Sequence, residues 1–133
     1  MLSSIGISFR MNPNADASKL KSESEKEMTN ITYSVNHVPI RLTDERWGHI
    51  VENHNDIAGY YYDVLEAVEN PTWVLEGDEN ELWAVKLISK RKAFLIIYKE
   101  SKEHNDGFII TAFITTKIRK LLKGRIIWQP QPQ

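Results

Sequence analysis

The sequence contains no cysteine, and this absence excludes disulfide bonds, thiolate metal sites and a cysteine nucleophile. It also lacks an apolar run of about 18 residues, the length that a membrane-spanning helix needs. A signal peptide is not expected, because Arg10 follows the short apolar patch near the start instead of preceding it. We therefore expect a soluble cytoplasmic protein that does not contact a membrane.

Several motifs of catalysis and cofactor binding are missing as well. The chain has no glycine-rich phosphate loop, no Gly-x-Ser-x-Gly motif, and neither His-x-x-x-His nor His-Glu-x-x-His. His49 and His54 are five residues apart, which places them on different faces of a helix and makes them a poor metal pair. The sequence therefore predicts no metal site and no cofactor.

Charge is distributed unevenly along the chain, although the net charge is only −1. Residues 31–80 carry two basic and ten acidic side chains, a net charge of −8. Residues 81–133 carry eleven basic and four acidic side chains, a net charge of +7. A basic half can attract phosphate, but it can equally pair with the acidic half of the same fold or with an acidic partner.

The length of 133 residues is ordinary for one domain and short for two. Residues 12–30 are rich in Ser, Asn, Lys and Glu and have little apolar surface to bury, so we predict a flexible N-terminal extension over 1–30. A single domain is expected over 31–128. The alternating Gln and Pro of 129–133 predict a disordered tail.

Hydrophobic periodicity predicts helices early in this domain and strands later. Alternating apolar residues predict a strand that begins at Ile31 and runs through Pro39. Thr43 is a good N-cap for a first helix. A second helix, with Ile57 as the first apolar residue of its buried face, is expected to end at Asn70–Pro71.

Beyond Pro71 the hydrophobic period changes to two residues, which is typical of β-strands. Four strands joined by short turns are predicted over 72–76, 82–88, 93–99 and 108–115. A short basic helical turn over 117–123 and a last short strand over 126–128 follow. The fold expected is α+β, with two N-terminal helices packed on one face of a four-stranded antiparallel meander sheet and room for an extra N-terminal strand. The other face is expected to be open, or covered by a ligand or partner.

The stretch from Ile40 to His54, which reads IRLTDERWGHI-x-x-x-H, resembles the opening of the PBECR domains. That family is named for phage barnase, EndoU, colicin and RelE-type nucleases. The resemblance continues through VLE-x-V-x-NP at 64–71, ends with FIITAF at 108–113, and covers about residues 38–128. The chain departs from the family pattern at Phe113, where members commonly have Tyr, and at Asn55, where they commonly have Pro.

The resemblance implies a barnase/RelE-like fold and a metal-independent endoribonuclease of toxin type, which cleaves RNA by attack of the 2′-hydroxyl. The implied partners are RNA, with ribosome-bound mRNA and tRNA both open, and a cognate antitoxin protein. Carried over by position, His54 is the general acid/base and His49 a supporting or alternative candidate. Lys86 is the cation that stabilises the phosphorane charge, and Thr111 is a phosphate-binding hydroxyl.

The residues themselves leave a second interpretation open at each position. His54 lies in the apolar stripe of its helix, and is either an acid/base or a buried histidine bonded to the backbone. Lys86 interrupts an apolar strand, and belongs either on the open face beside Thr111 or on an edge strand where lysine blocks aggregation. Thr111 either binds phosphate or reflects β-propensity alone.

Basic residues near the predicted turns are candidates for RNA binding, although most such runs are simply solvated. The predicted substrate-binding residues are Thr115, Lys117, Arg119, Lys90, Arg91 and Tyr98, with aromatic rings stacking on bases. A non-catalytic RNA- or protein-binding module of the same fold is the main alternative to a ribonuclease. A small-molecule enzyme or binder that uses a pocket between helices and sheet is a third hypothesis.

Overall fold

The computed structural model describes residues 29–132. The predicted extension over 1–30 lies outside the described residues except for Thr29 and Asn30, which belong to the first strand. The strands are β1 (Thr29–Tyr33), β2 (Pro39–Thr43), β3 (Trp73–Glu76), β4 (Leu82–Leu87), β5 (Ala93–Ser101), β6 (Asp106–Thr115) and β7 (Ile126–Trp128). The helices are α1 (Asp44–Asn53), α2 (Tyr61–Glu69) and the single turn α3 (Ile118–Leu121), with 3₁₀ turns at Asn55–Ile57 and Asp78–Asn80.

All seven strands form one mixed sheet in the order β1-β2-β6-β5-β4-β3-β7. The chain segment from β3 to β6 does pair antiparallel as predicted. The predicted four-stranded fold is nevertheless wrong, because β7 adds to β3, and β2 pairs parallel with β6 and carries β1 at its other edge. The parallel pair joins Ile40 to Gly107, and no local hydrophobic period encodes a contact over that separation.

A hairpin of β1 and β2 replaces the single strand that the alternation after Ile31 predicts. Its turn places His37 at a φ of 63°, and the Ser34 N–H donates to the Val38 carbonyl at 2.9 Å. Pro39 stands at the first position of β2, where its missing N–H is tolerated. The turn therefore gives the sheet a further antiparallel pair.

Thr43 begins α1 as the sequence predicts. Its Oγ1 accepts a hydrogen bond from the Arg46 N–H at 3.1 Å. Asp44 and Glu45 follow in the first turn, where the helix dipole favours acidic side chains. The capping bond and the two acids explain why the chain changes from strand to helix at this residue.

The main core lies between the sheet and the helices α1 and α2. One face of the sheet, here called the helix face, contributes Ile40, Ile96 and Ala112, which are fully buried. Val64 of α2 packs against this face together with Ile57. Ile57 lies in the 3₁₀ turn that precedes α2, so the predicted second helix begins later than its apolar pattern indicates.

A bulge in β6 changes which of its residues reach the core. Ile97 and Tyr98 are consecutive in β5, but they pair with Thr111 and Ile109, which are two residues apart in β6. Ile110 between them is therefore an extra residue in β6. Unbroken alternation places Phe108 toward the helices and Ile109 on the other face. The bulge reverses this, since Ile109 is 1% exposed within the core and Phe108 is 45% exposed.

The second face of the sheet carries a smaller apolar cluster. Leu75, Val85 and Leu95 are buried there, and α3 packs Ile118 and Leu121 against them. The sequence predicts that this face is open, or covered by a ligand or partner, but the basic helical turn predicted over 117–123 covers part of it.

Candidate functional site

Two basic segments that are far apart in the sequence meet at one end of the sheet. β5 pairs with β4 on one side and with β6 on the other, so the turn after β4 and the segment after β6 both lie beside the start of β5. Together they line a hollow of about 700 Å³, here called the basic concavity. Its lining residues are Lys90, Arg91, Thr116, Lys117, Ile118, Arg119 and Lys120.

Short-range hydrogen bonds fix the backbone of both segments. Ser89 Oγ accepts from the N–H of Arg91 at 3.3 Å and from the N–H of Lys92 at 3.2 Å. Thr115 Oγ1 accepts from the Lys117 N–H at 3.0 Å. Because these bonds use backbone donors, they position the turns without occupying the charged ends of the side chains.

The basic concavity has five positive side chains and no acidic one in its lining. All five are exposed. Among residues 29–132, the salt bridges are made by other residues, namely Arg41 with Asp106, Lys86 with Glu66 and Arg125 with Glu76. Like charges closer than a Debye length of about 8–10 Å repel one another. The concavity therefore favours a ligand that carries several negative charges.

A second hollow, here called the apolar pocket, opens on the second face and has a volume of about 350 Å³. Its apolar lining consists of Trp83, Leu95, Ile97, Phe113 and Leu121. The remaining lining residues are Thr115, Lys117, Lys120 and Gly124. Lys117 and Lys120 line both hollows, so that the two form one continuous surface.

His54 follows the last residue of α1 and contacts the edge of the apolar pocket through Phe113, although it lines neither hollow. β2 pairs only with Gly107 and Phe108 of β6, and α1 contacts β6 as well. The half-buried imidazole stacks on Phe113, with ring centroids 5.0 Å apart and planes at 30°. Thr111 and Thr115 lie two residues before and after Phe113 on β6 and share its face. The structure thus brings these four residues to one region.

Lys86 lies on the helix face and does not belong to this region. It pairs with Phe94, a core residue under the helices, in the register of β4 and β5. Its ammonium donates to the Asn70 carbonyl at 2.6 Å and lies 3.7 Å from the Glu66 carboxylate. Lys86 therefore binds the C-terminal end of α2, where the helix dipole favours a cation.

Tyr98 and His49 are also separate from the two hollows. Tyr98 is fully buried on the helix face, and its hydroxyl has no hydrogen-bond partner among the described residues. Burial, together with the nearby carboxylate of Glu100, raises the pKa of Tyr98 above its ordinary value. Tyr98 is thus inaccessible to a nucleobase, contrary to its predicted role in binding RNA. His49 is exposed on α1 and lines neither hollow.

Trp83, Leu95 and Leu121 line the apolar pocket but are not among the predicted site residues. The alternation of Trp83 and Val85 shows that they share a face of their strand. It does not show that α3 leaves Trp83 accessible and covers Val85. Lys90, Arg91, Lys117 and Arg119, by contrast, are predicted from the sequence and do line the basic concavity.

Comparison with protein-family models, with curated proteins and with solved structures finds no match to this chain. Within residues 29–132, no group of three or more His, Asp or Glu side chains is arranged to hold a metal ion. No helix in the described part of the chain is long and apolar enough to cross a membrane. Function is therefore inferred from the geometry and charge of the two hollows.

Proposed function

We propose that the protein binds single-stranded RNA with the phosphate backbone in the basic concavity. The observation that carries this proposal is the convergence of five cations from two separate segments on a hollow without a carboxylate in its lining. Lys and Arg side chains in such an arrangement neutralise several phosphates and release the counterions condensed on the nucleic acid. RNA is also the partner that the sequence resemblance implies.

A single strand fits this surface better than a duplex. The basic concavity continues into the apolar pocket through Lys117 and Lys120, so charged and apolar surfaces adjoin. A flexible strand can follow such a surface and turn its bases toward the apolar part. The bases of a duplex are paired and stacked, and are therefore withheld from apolar contacts.

Binding of a fluorescently labelled oligouridine is expected to weaken steeply as salt is added. Each phosphate neutralised on a single strand contributes about −0.7 to the slope of log K against log salt concentration. The five cations of the basic concavity therefore predict a slope of about −3.5. Fluorescence anisotropy at several salt concentrations measures this slope. No binding at low salt, or a slope near zero, contradicts the proposal.

A second candidate function is metal-independent cleavage of the bound RNA, and the position of His54 favours it. A neutral imidazole nitrogen can take the proton from an attacking 2′-hydroxyl, and the imidazolium so formed can return it to the leaving 5′-oxygen. Phe113, on which His54 stacks, lines the same pocket as Lys117. In this scheme the cation that meets the phosphorane charge is Lys117, because Lys86 lies on the helix face.

Replacement of His54 by Ala is expected to slow cleavage of oligouridine in EDTA by about 100-fold or more, the usual contribution of a general acid/base. His49→Ala is the matched control, since His49 is exposed within α1, whereas His54 follows α1 directly and stacks on Phe113 of the apolar pocket. Gel analysis of the RNA products measures the cleavage rate of each variant, and thermal unfolding measures its stability. Equal cleavage by wild type and His54→Ala, or loss of activity of the wild type in EDTA, contradicts this mechanism.

A further inference from the structure

We propose that the apolar pocket holds one unstacked nucleobase of the bound strand, an inference that rests on the RNA binding proposed above. The volume of about 350 Å³ lies within the range of roughly 300–1000 Å³ that small-molecule sites have. Trp83 and Phe113 contribute aromatic rings to the lining. Stacking on aromatic side chains is how many proteins hold the bases of a single strand.

The cations beside the pocket suit a nucleotide better than an uncharged apolar ligand. Lys117 and Lys120 line the pocket and also line the basic concavity. A nucleotide joins an apolar base to a phosphate, so one unit can place its base in the pocket and its phosphate at these ammonium groups. The strand then continues through the concavity toward Arg119 and Arg91.

The polar groups of the pocket predict recognition by shape rather than by base sequence. The indole N–H of Trp83 already donates to the Glu81 carboxylate at 3.2 Å. Thr115 carries the one hydroxyl of the lining, and its Oγ1 accepts from the Lys117 N–H, which leaves a single O–H donor. Stacking tolerates every base, whereas discrimination requires donors and acceptors aimed at base edges. We therefore expect the pocket to accept different bases with little selection.

An oligomer of equal length that lacks its bases tests the proposal on the wild-type protein. It keeps the phosphates and loses the stacking, so it is expected to bind about tenfold more weakly than oligouridine. The salt dependence of both oligomers is expected to be equally steep, because the contacts of the phosphates do not change. Competition against labelled oligouridine in an anisotropy experiment measures the ratio.

Two substitutions locate the effect at the pocket. Phe113→Leu and Trp83→Leu keep the lining apolar but remove an aromatic ring, and each is expected to reduce the preference for oligouridine over the base-free oligomer. Trp73→Leu is the matched control, because Trp73 packs in the same apolar cluster of the second face but does not line the pocket. The control is expected to keep the preference of the wild type.

The outcomes separate this inference from the proposed function. Equal binding of both oligomers by wild type, with the steep salt dependence retained, overturns the base pocket and leaves RNA binding intact. Failure of both oligomers to bind overturns both proposals. A loss of preference in Trp73→Leu as large as in the pocket variants also overturns the base pocket.

A competition experiment without any substitution covers the case in which Trp83→Leu does not fold. Uridine monophosphate and ribose 5-phosphate carry the same phosphate, and only the former has a base. Uridine monophosphate is expected to displace labelled oligouridine at about a tenfold lower concentration. Equal competition by the two compounds overturns the base pocket.

Discussion

Simultaneous replacement of Arg91 and Arg119 by Glu is expected to lower the affinity for oligouridine about a hundredfold. The two residues come from different basic segments and line the same basic concavity. A hydrogen bond to a charged group contributes about 1.5 kcal/mol or more, and the loss of two such bonds corresponds to about a hundredfold. The introduced carboxylates also repel the phosphates, so this value is a lower bound.

Anisotropy titrations of the two single variants and the double variant measure this effect. Each single charge reversal is expected to weaken binding on its own, because in this proposal both arginines contact the same RNA strand. The charge-matched control is Arg46→Glu with Lys102→Glu, since both residues are exposed and neither lines the concavity. If the control loses as much affinity as the Arg91 and Arg119 pair, net charge rather than the concavity determines binding. If only one single reversal has an effect, the two segments do not form one site.

Replacement of Gly107 by Ala is expected to lower the free energy of unfolding by about 3 kcal/mol. Gly107 lies in β6 between Ile40 of β2 and Glu100 of β5. A Cβ at this position would lie 2.5 Å from Ile40 Cδ1 and would also overlap the backbone carbonyl of Lys99. A backbone oxygen cannot move without displacing its strand, so relief of the overlap requires the sheet to distort.

Gly48→Ala provides the opposite expectation in the same chain. Gly48 lies inside α1, and apart from its chain neighbours and the adjacent backbone of its own helix no atom lies within 4 Å of a Cβ built there. Alanine in a helix interior is favoured over glycine by roughly 0.5–1 kcal/mol, so this variant is expected to be more stable than wild type. Urea unfolding of the wild type and of the two glycine variants measures their free energies of unfolding, which can be compared directly if the m-values are unchanged. Wild-type stability of Gly107→Ala would show that β2 does not join β6 in this register.

Local structure follows from short-range patterns in this sequence. Thr43 and the acids after it predict the start of α1, and the structure confirms it. The four predicted strands beyond Pro71 correspond to β3–β6 within two residues at each end. The last short strand over 126–128 is also confirmed. Each of these features depends on residues that are neighbours along the chain, which is why periodicity and capping detect them.

The face of the sheet toward which a side chain points is less predictable from the sequence than the position of a helix or strand. The apolar pattern of its strand predicts Lys86 on the open face or at an edge, but the C-terminal end of α2 supplies it with a carbonyl and a carboxylate on the helix face. The extra residue Ile110 turns Ile109 into the core, although simple alternation predicts the reverse. A one-residue change of register moves every following side chain to the other face. Such changes depend on the paired strand, which the local sequence does not identify.

Two basic segments, the positions of the main strands and the start of α1 can all be read from the amino-acid sequence of this protein. The sequence does not predict that Lys90 and Arg91 share a concavity with Lys117 and Arg119, or that the apolar pocket adjoins it. This arrangement arises because β5 pairs on both sides, which brings the chain after β4 and the chain after β6 to the same end of the sheet. Charge and propensity belong to single residues and their neighbours, whereas this convergence arises from pairing between strands distant in the chain.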